Sequence, residues 1–273
     1  MGNYTNLDLA LQSFTTTSLD ENDQARDGTA KSMESRVTEV IATMFKENSQ
    51  LTLPMIVDHY ENTSQKLTLL RSIIRARSTS GDNIIKLVTD VFSASTTNTC
   101  LEQKVAVAME IARQGKYLAS FLAKQFDKLV LNEASQEQRF ELAKMIAENT
   151  TGSALCNNIE KFALTIDQRL AIATLIAQKE EAAAANLAAA IDYFALDQAS
   201  PDQRSDLAIL VAQQGGQAAE GVLHCFEDFF LSETTPEQRL NLAKVIAKYL
   251  RDPVDSFSSH IHKFSFTPEV QAE

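Results

Sequence analysis

The feature that most constrains this chain is a thirteen-residue stretch, Thr235–Ala247, which returns in recognisable form five times upstream. Every copy contains a Gln followed by a basic residue, and these glutamines are Gln65, Gln103, Gln138, Gln168, Gln203 and Gln238. Their spacings are 38, 35, 30, 35 and 35 residues, which is the range expected for a tandem array of helical hairpins. A hairpin of this length cannot cover its own apolar face, so neighbouring hairpins are predicted to stack.

The recurring stretch carries the signals of a helix start. In four copies a Ser or Thr stands three residues before the Gln, which is the spacing of a capping box; these residues are Ser135, Thr165, Ser200 and Thr235. Pro201 and Pro236 follow two of them at the first helical position, where a missing N–H costs nothing. Further along, Leu and Ile recur on one face beside a lane of Ala, which predicts close packing against another helix.

A second helix is predicted in every copy. It opens after a Gly or a short polar turn and closes on an aromatic residue, namely Phe92, Phe126, Phe162, Phe194, Phe229 or Phe264. We therefore expect an all-α fold, a right-handed superhelical α-solenoid of about seven hairpins.

The domain organisation follows from this pattern. Residues 1–29 are rich in Ser, Thr, Asn and Asp and are predicted to form a flexible arm. Residues 30–273 are predicted to form a single solenoid domain, with a capping hairpin over 30–61, hairpins beginning near 62, 99, 135, 165, 200 and 235, and a partial start over 267–273. That partial start is read either as the relic of a further unit or as the front of a longer protein.

Charge and composition exclude several classes of function. The formal net charge is −11, whereas a phosphate-binding groove requires an electropositive face, so nucleic acid is not an expected partner. No apolar run approaches the roughly 20 residues of a membrane span. Three scattered cysteines, Cys100, Cys156 and Cys225, favour free thiols in a reducing, cytoplasmic compartment.

No catalytic motif is present, and neither a cofactor nor a metal is expected. His260 and His262 are two residues apart and would point to different sides of a helix, which is unsuitable for joint metal binding. The alternative of an enzyme requires a composite site between the arm and the first hairpins, built from Asp58, His59 and Glu61.

The basic residue after each Gln is unusual because positive charge is unfavourable in the first turn of a helix. These residues are Lys66, Lys104, Arg139, Arg169, Arg204 and Arg239. We interpret them as a ladder in which each cation meets an acidic side chain of the next unit's first turn. The alternative is a basic strip for an acidic ligand.

The exposed face of the second helices is the predicted binding surface. Its positions one and five residues before the closing aromatic vary between copies, whereas the packing positions do not. The predicted partner-binding residues are Phe121, Gln125, Asn157, Lys161, Tyr193, His224, Asp228 and Lys263. Phe121 and Tyr193 are the expected anchors, because aromatic side chains are enriched at protein interfaces.

Across residues 30–270 the hairpin design resembles tetratricopeptide, HEAT and armadillo proteins. The recurring Thr-Pro-Glu-Gln-Arg-Leu-x-Leu-Ala motif and the Asn- and Thr-rich arm also resemble those of helical-repeat effectors injected by intracellular bacteria. Some of these effectors regulate a companion effector enzyme. The resemblance implies a non-enzymatic scaffold or regulator that binds a companion enzyme or a host protein, after translocation into a host cell. No functional residue is carried over from it. A further alternative is a structural spacer within a longer protein.

Overall fold

A computed structural model describes most of the chain between residues 53 and 264. The described residues are 4, 6–9, 39–41, 43, 44, 53–60, 63–75, 81–94, 101–250, 252, 256 and 259–264. Within these ranges the regular structure is helical and no β-strand occurs, which confirms the predicted all-α class. No helix in the described part is both long and apolar enough to cross a bilayer. Most of the predicted arm and capping hairpin, together with Cys100 and residues 267–273, lies outside the described residues.

The chain divides into two compact units, one formed by residues 1–118 and 127–134 and the other by residues 119–126 and 135–273. The first unit contains α1 (Leu53–Asp58), α2 (Thr63–Arg75), α3 (Gly81–Ala94), α4 (Leu101–Arg113) and the start of α5 (Lys116–Gln125). The boundary predicted at residues 29 and 30 is not tested by this division and stays a prediction.

The first unit is held together by a buried carboxylate as well as by its apolar core. Glu110 of α4 is almost fully buried and lies 3.6 Å from Arg71 of α2 and 3.0 Å from Arg113. A buried charge is tolerated only when it is paired in this way. The first turns of α3 and α5 are also joined, because the Tyr117 hydroxyl donates to Asp82 at 2.7 Å.

The second unit is built from four successive segments, named here by their first residues: the Ser135 segment (135–164), the Thr165 segment (165–199), the Ser200 segment (200–234) and the Thr235 segment (235–264). Each opens with a long helix, and these are α6 (Gln136–Asn149), α8 (Ile166–Ala177), α10 (Pro201–Ala212) and α12 (Pro236–Tyr249). Shorter α-helices follow in three segments, namely α7 (Ser153–Cys156), α9 (Glu181–Ala188) and α11 (Gly216–His224).

The predicted helix starts are confirmed in all four segments. Ser135, Thr165, Ser200 and Thr235 each accept the backbone N–H of the Gln three residues on, and the Gln side chain accepts the N–H of the cap. The predicted alanine lane is buried in the Ser135, Thr165 and Ser200 segments, where Ala147, Ala177 and Ala212 have no exposed surface. Ala247, at the same position of α12, is exposed.

The second helical stretch differs from a simple helix. In the Ser135 and Thr165 segments it begins as a short α-helix and ends in a 3-10 helix, at Ile159–Phe162 and Ile191–Phe194. A 3-10 helix also occurs at Ile261–Phe264, whereas α11 is followed by turns over residues 225–230. The predicted closing residues Phe162, Phe194, Phe229 and Phe264 are fully buried. The apolar end of each stretch is therefore fixed in the core while the residues between the apolar positions face outward.

The recurring arginines bind backbone carbonyls, which differs from the predicted ladder of acidic side chains. Each guanidinium donates to a carbonyl at the end of the second stretch of its own segment. The contacts join Arg139 to Phe162 O (2.8 Å), Arg169 to Phe194 O (3.5 Å), Arg204 to Phe230 O (3.3 Å) and Arg239 to Phe264 O (2.8 Å). Arg204 adds an acidic partner from its own segment, Glu233 at 2.6 Å. The arginine thus ties the start of each segment to its end.

Candidate functional site

In the described part of the chain, four of the second stretches are followed by one residue in the left-handed conformation, which gives an independent alignment of those copies. These residues are Val130 (φ 58°), Ala163 (φ 46°), Ala195 (φ 52°) and Phe230 (φ 54°). The buried apolar residue just before each of them is Leu129, Phe162, Phe194 or Phe229. Non-glycine residues rarely adopt this conformation, so its recurrence marks equivalent positions. Phe264 is aligned with these apolar residues because Arg239 donates to its carbonyl as Arg139 donates to that of Phe162.

This alignment corrects the register predicted for one copy. Leu129, and not Phe126, is the equivalent of Phe229, because Phe126 stands where Phe226 does. The positions one and five residues earlier are therefore Lys128 and Lys124, in place of the predicted Gln125 and Phe121. Both of the latter are only partly exposed.

Two rows of residues can now be defined. The proximal row lies one residue before the aligned apolar residue and consists of Lys128, Lys161, Tyr193, Asp228 and Lys263. The distal row lies five residues before it and consists of Lys124, Asn157, Ala189, His224 and Ser259. Six of the eight predicted partner-binding residues remain in these rows, namely Asn157, Lys161, Tyr193, His224, Asp228 and Lys263.

The two proximal-row lysines of the second unit bind backbone carbonyls of the preceding segment. Lys161 Nζ donates to Lys124 O at 3.5 Å. Lys263 Nζ donates to Leu223 O at 3.2 Å and to His224 O at 3.4 Å. These carbonyls lie at the C-terminal ends of α5 and α11, where cations are favoured. The proximal row of one segment therefore lies against the distal row of the segment before it.

Tyr193 and Asp228 occupy the same row between those lysines but cannot make the same contact. Tyr193 is 39% exposed, and Asp228 is exposed. Among the described residues, neither side chain takes part in an ion pair. In the second unit, these are the two proximal-row positions at which no lysine binds the carbonyls of the preceding segment.

The structure brings Asp228 and Lys263 together around Cys225, which is half-buried at the end of α11. Burial is the largest cause of the raised pKa of the Cys225 thiol. The carboxylates of Asp228 and Asp192 also raise this pKa, whereas the ammonium of Lys263 lowers it. Carboxylates from two successive segments thus influence the same thiol.

Cys156 has a different environment. It is fully buried, and burial raises the pKa of its thiol to about 12. Cys156 therefore packs as a small apolar side chain in the core. Reactivity at pH 7 is not expected from it.

His224 belongs to the same neighbourhood as Cys225. Its ring lies 5.0 Å from that of His260 in an edge-to-face arrangement, and its Nε2 lies 3.7 Å from Glu220. No group of three or more His, Cys, Asp or Glu side chains with a geometry for a metal ion occurs in the described part of the chain.

The remaining predicted residues are not gathered into this neighbourhood. Asn157 is exposed in the distal row, and Phe121 and Gln125 lie on α5. The predicted binding surface did not include Asp192 and Cys225. The only signal for them was their sequence position, since Asp192 precedes Tyr193 of the proximal row and Cys225 follows His224 of the distal row.

The composite enzyme site predicted at Asp58, His59 and Glu61 falls largely outside the described part, which includes neither the Asp58 side chain nor Glu61. The ring of His59 is exposed and stacks on Tyr4, with 3.6 Å between ring centroids. The composite site is therefore not tested and stays a prediction.

Comparison of the chain with protein-family models, with curated proteins and with solved structures gave no match.

Proposed function

We propose that this protein is a non-enzymatic scaffold or regulator that binds a partner protein along the second stretches of its segments. The observation that carries the proposal is the contrast within the proximal row. Lys161 and Lys263 are occupied by contacts inside the chain, whereas Tyr193 and Asp228 are exposed between them.

An exposed tyrosine in a row that also carries an exposed carboxylate is typical of a recognition surface. Tyr and Trp provide much contact area at low entropic cost and are enriched among the residues that dominate binding energy. The arginine contacts and capping boxes recur in all four segments of the second unit and tie the start of each segment to its end. Variation is thereby confined to side chains that point away from the core.

The finer architecture belongs to this proposal. We infer a right-handed α-solenoid of about seven hairpins of the tetratricopeptide, HEAT or armadillo type, with the second stretches lining its inner curve. A cytoplasmic effector that restrains a companion enzyme, or that engages a host protein after translocation, is the role suggested by the sequence resemblance.

Affinity capture with the full chain tests this function. The double variant Tyr193→Ala/Asp228→Ala should lose a protein captured by the natural sequence, with an unchanged melting temperature. The matched control is Asp206→Ala/Lys244→Ala, which removes two exposed side chains from the long helices α10 and α12 and should retain capture. Identical capture by all three proteins would refute the proposal.

A second candidate, a spacer that stacks against a further helical hairpin, is favoured by one observation. Ala247 is exposed where Ala147, Ala177 and Ala212 are fully buried, and Ile261 is 37% exposed where Ile159 and Ile191 are buried. Recovery of a longer native polypeptide containing additional copies of the recurring stretch would support it. A native polypeptide of the present length would oppose it.

A further inference from the structure

The contacts of Lys161 and Lys263 show what kind of group fits the end of a second-stretch α-helix. In both cases the group is a lysine ammonium, which donates to carbonyls at the C-terminal end of the helix one segment earlier. Those carbonyls have no partner within a helix, and the helix dipole makes them attractive to cations. The chain itself therefore supplies two examples of an occupied position.

The corresponding position at the end of α9 has no such lysine. Its carbonyls belong to Ala188 and Ala189, the equivalents of Leu223 and His224. The proximal-row residue of the next segment is Asp228. Within the described residues no side chain donates to either carbonyl, and a carboxylate cannot do so because it only accepts.

The neighbouring segment lies directly beside this helix end. A Cβ placed on Gly221 of α11 would be only 2.8 Å from Cβ of Ala188, so the two helices approach closely at that turn. Cys225 directly follows the last residue of α11, and the carboxylates of both Asp228 and Asp192 raise the pKa of its thiol. The end of α9 therefore lies beside a helix whose end has two carboxylates in its neighbourhood.

We propose that the end of α9 is a receptor for a lysine side chain of the partner protein, which takes the place that Lys263 and Lys161 fill elsewhere. The ammonium would donate to the carbonyls of Ala188 and Ala189 and pair with Asp228 and Asp192. This inference rests on the proposed function and specifies a basic segment as the partner's contacting element.

The chemistry of the region selects the ligand. Carbonyls and carboxylates are acceptors, so a donor with positive charge is required and an acidic segment is repelled. A lysine is preferred over an arginine because the two occupied positions hold a compact ammonium at the end of a flexible stem. A side-chain ammonium is therefore the group assigned to this helix end.

The test measures binding of a fluorescent peptide of alternating lysine and glycine to the full chain by anisotropy. The matched probe has every lysine ε-acetylated, which removes the ammonium and retains the length. We expect the natural chain to bind the lysine peptide and not the acetylated one. Absence of binding to the lysine peptide, or equal binding of both, overturns the proposal.

Asp228→Lys provides the specific variant, because the new lysine can fill the position from within the chain as Lys263 does. It should weaken binding by about tenfold, the loss expected for a charge-assisted hydrogen-bonded contact. Asp206→Lys makes the same charge change on α10 and should have a much smaller effect. Equal weakening by both variants would show a general charge effect and contradict the site.

Asp228→Asn and Asp206→Asn form a second pair, for use if Asp228→Lys does not fold. Only the first of them should weaken binding, and equal affinities would again overturn the site. The outcome can be separated from that of the proposed function. If Tyr193→Ala/Asp228→Ala loses protein capture, the proposed binding face is supported. If the natural chain nevertheless does not bind the lysine peptide, the lysine receptor is rejected while the binding face is kept.

Discussion

The arginine and the proximal-row residue of each segment in the second unit behave differently. All four arginines bind carbonyls at the close of the second stretch of their own segment. The proximal-row side chain binds carbonyls of the preceding segment at two positions, Lys161 and Lys263, and not at the two between them. The arginine is therefore a framework contact present in all four segments, whereas the proximal-row residue is either held by contacts within the chain or exposed.

The largest expected effect comes from breaking the framework contact. Arg204 is only 4% exposed and donates to Ala199 O, Phe230 O and Glu233. Arg204→Met leaves these acceptors without their donor and should lower the free energy of unfolding by about 3 kcal/mol. Urea denaturation measures the change. As a control, Lys244→Met removes an exposed cation on α12 and should change the free energy of unfolding by less than about 0.5 kcal/mol. Similar losses in both variants would show that the Arg204 contacts do not stabilise the fold.

The difference between local contacts and contacts across segments also explains what the sequence could predict. The capping boxes were predictable because a hydroxyl residue and a Gln three positions later interact within one helical turn. The alanine lane was predictable because it follows the helical period. Both are local features whose physics does not depend on a neighbouring segment.

The left-handed residues could not be predicted, because Val130, Ala163, Ala195 and Phe230 belong to residue types that do not favour positive φ. Without that landmark, the sequence pattern aligns Phe126 with Phe229, which displaces the row by three residues. The lysine contacts are not predictable for another reason. They join residues 37 to 40 positions apart and depend on how consecutive segments pack.

A smaller effect should appear within the proximal row. Lys263→Met removes the contacts to Leu223 O and His224 O and should lower the free energy of unfolding by about 1 kcal/mol, since the side chain is partly exposed. Asp228→Ala, in the same row, should change it by less than about 0.5 kcal/mol, because Asp228 makes no framework contact. Equal destabilisation by both variants would mean that the row is structural throughout.

The environment of Cys225 gives a kinetic test of the open position. Because burial and Asp228 raise the pKa of this thiol, alkylation by iodoacetamide at pH 8 should be slow. Asp228→Asn removes one negative charge and should accelerate it by about threefold, since the thiolate is the nucleophile. Peptide mass spectrometry assigns the modified cysteine, with the buried Cys156 as an unreactive reference. An unchanged rate would mean that Asp228 does not face the thiol.

The sign of the pH dependence follows from the same pKa. In the unfolded chain the Cys225 thiol ionises near its ordinary pKa of 9.0, whereas in the folded chain it retains its proton to higher pH. Its contribution to stability is therefore complete below pH 9 and is lost as the pH rises through the folded pKa. Cys225→Ala should flatten that decline, as measured by thermal unfolding between about pH 8 and pH 10.

The smallest effect concerns the left-handed turn. Ala163→Gly relieves an unfavourable φ of 46° and should raise the free energy of unfolding by about 0.5 kcal/mol, after the entropy gained by the unfolded chain is subtracted. Ala189→Gly is the control, because Ala189 has a helical φ of −66° and the same change there should lower stability by about 0.5 kcal/mol. Loss of stability in both variants would contradict the assigned conformation.

The most direct test of the account is a crystal structure of Asp228→Lys. We predict that the new ammonium lies about 3 Å from the carbonyl oxygens of Ala188 and Ala189, reproducing the contact that Lys263 makes with Leu223 and His224. A well-ordered lysine side chain at the substituted position that is directed into solvent, with those carbonyls unoccupied, would contradict the equivalence of the segments and the open position deduced from it.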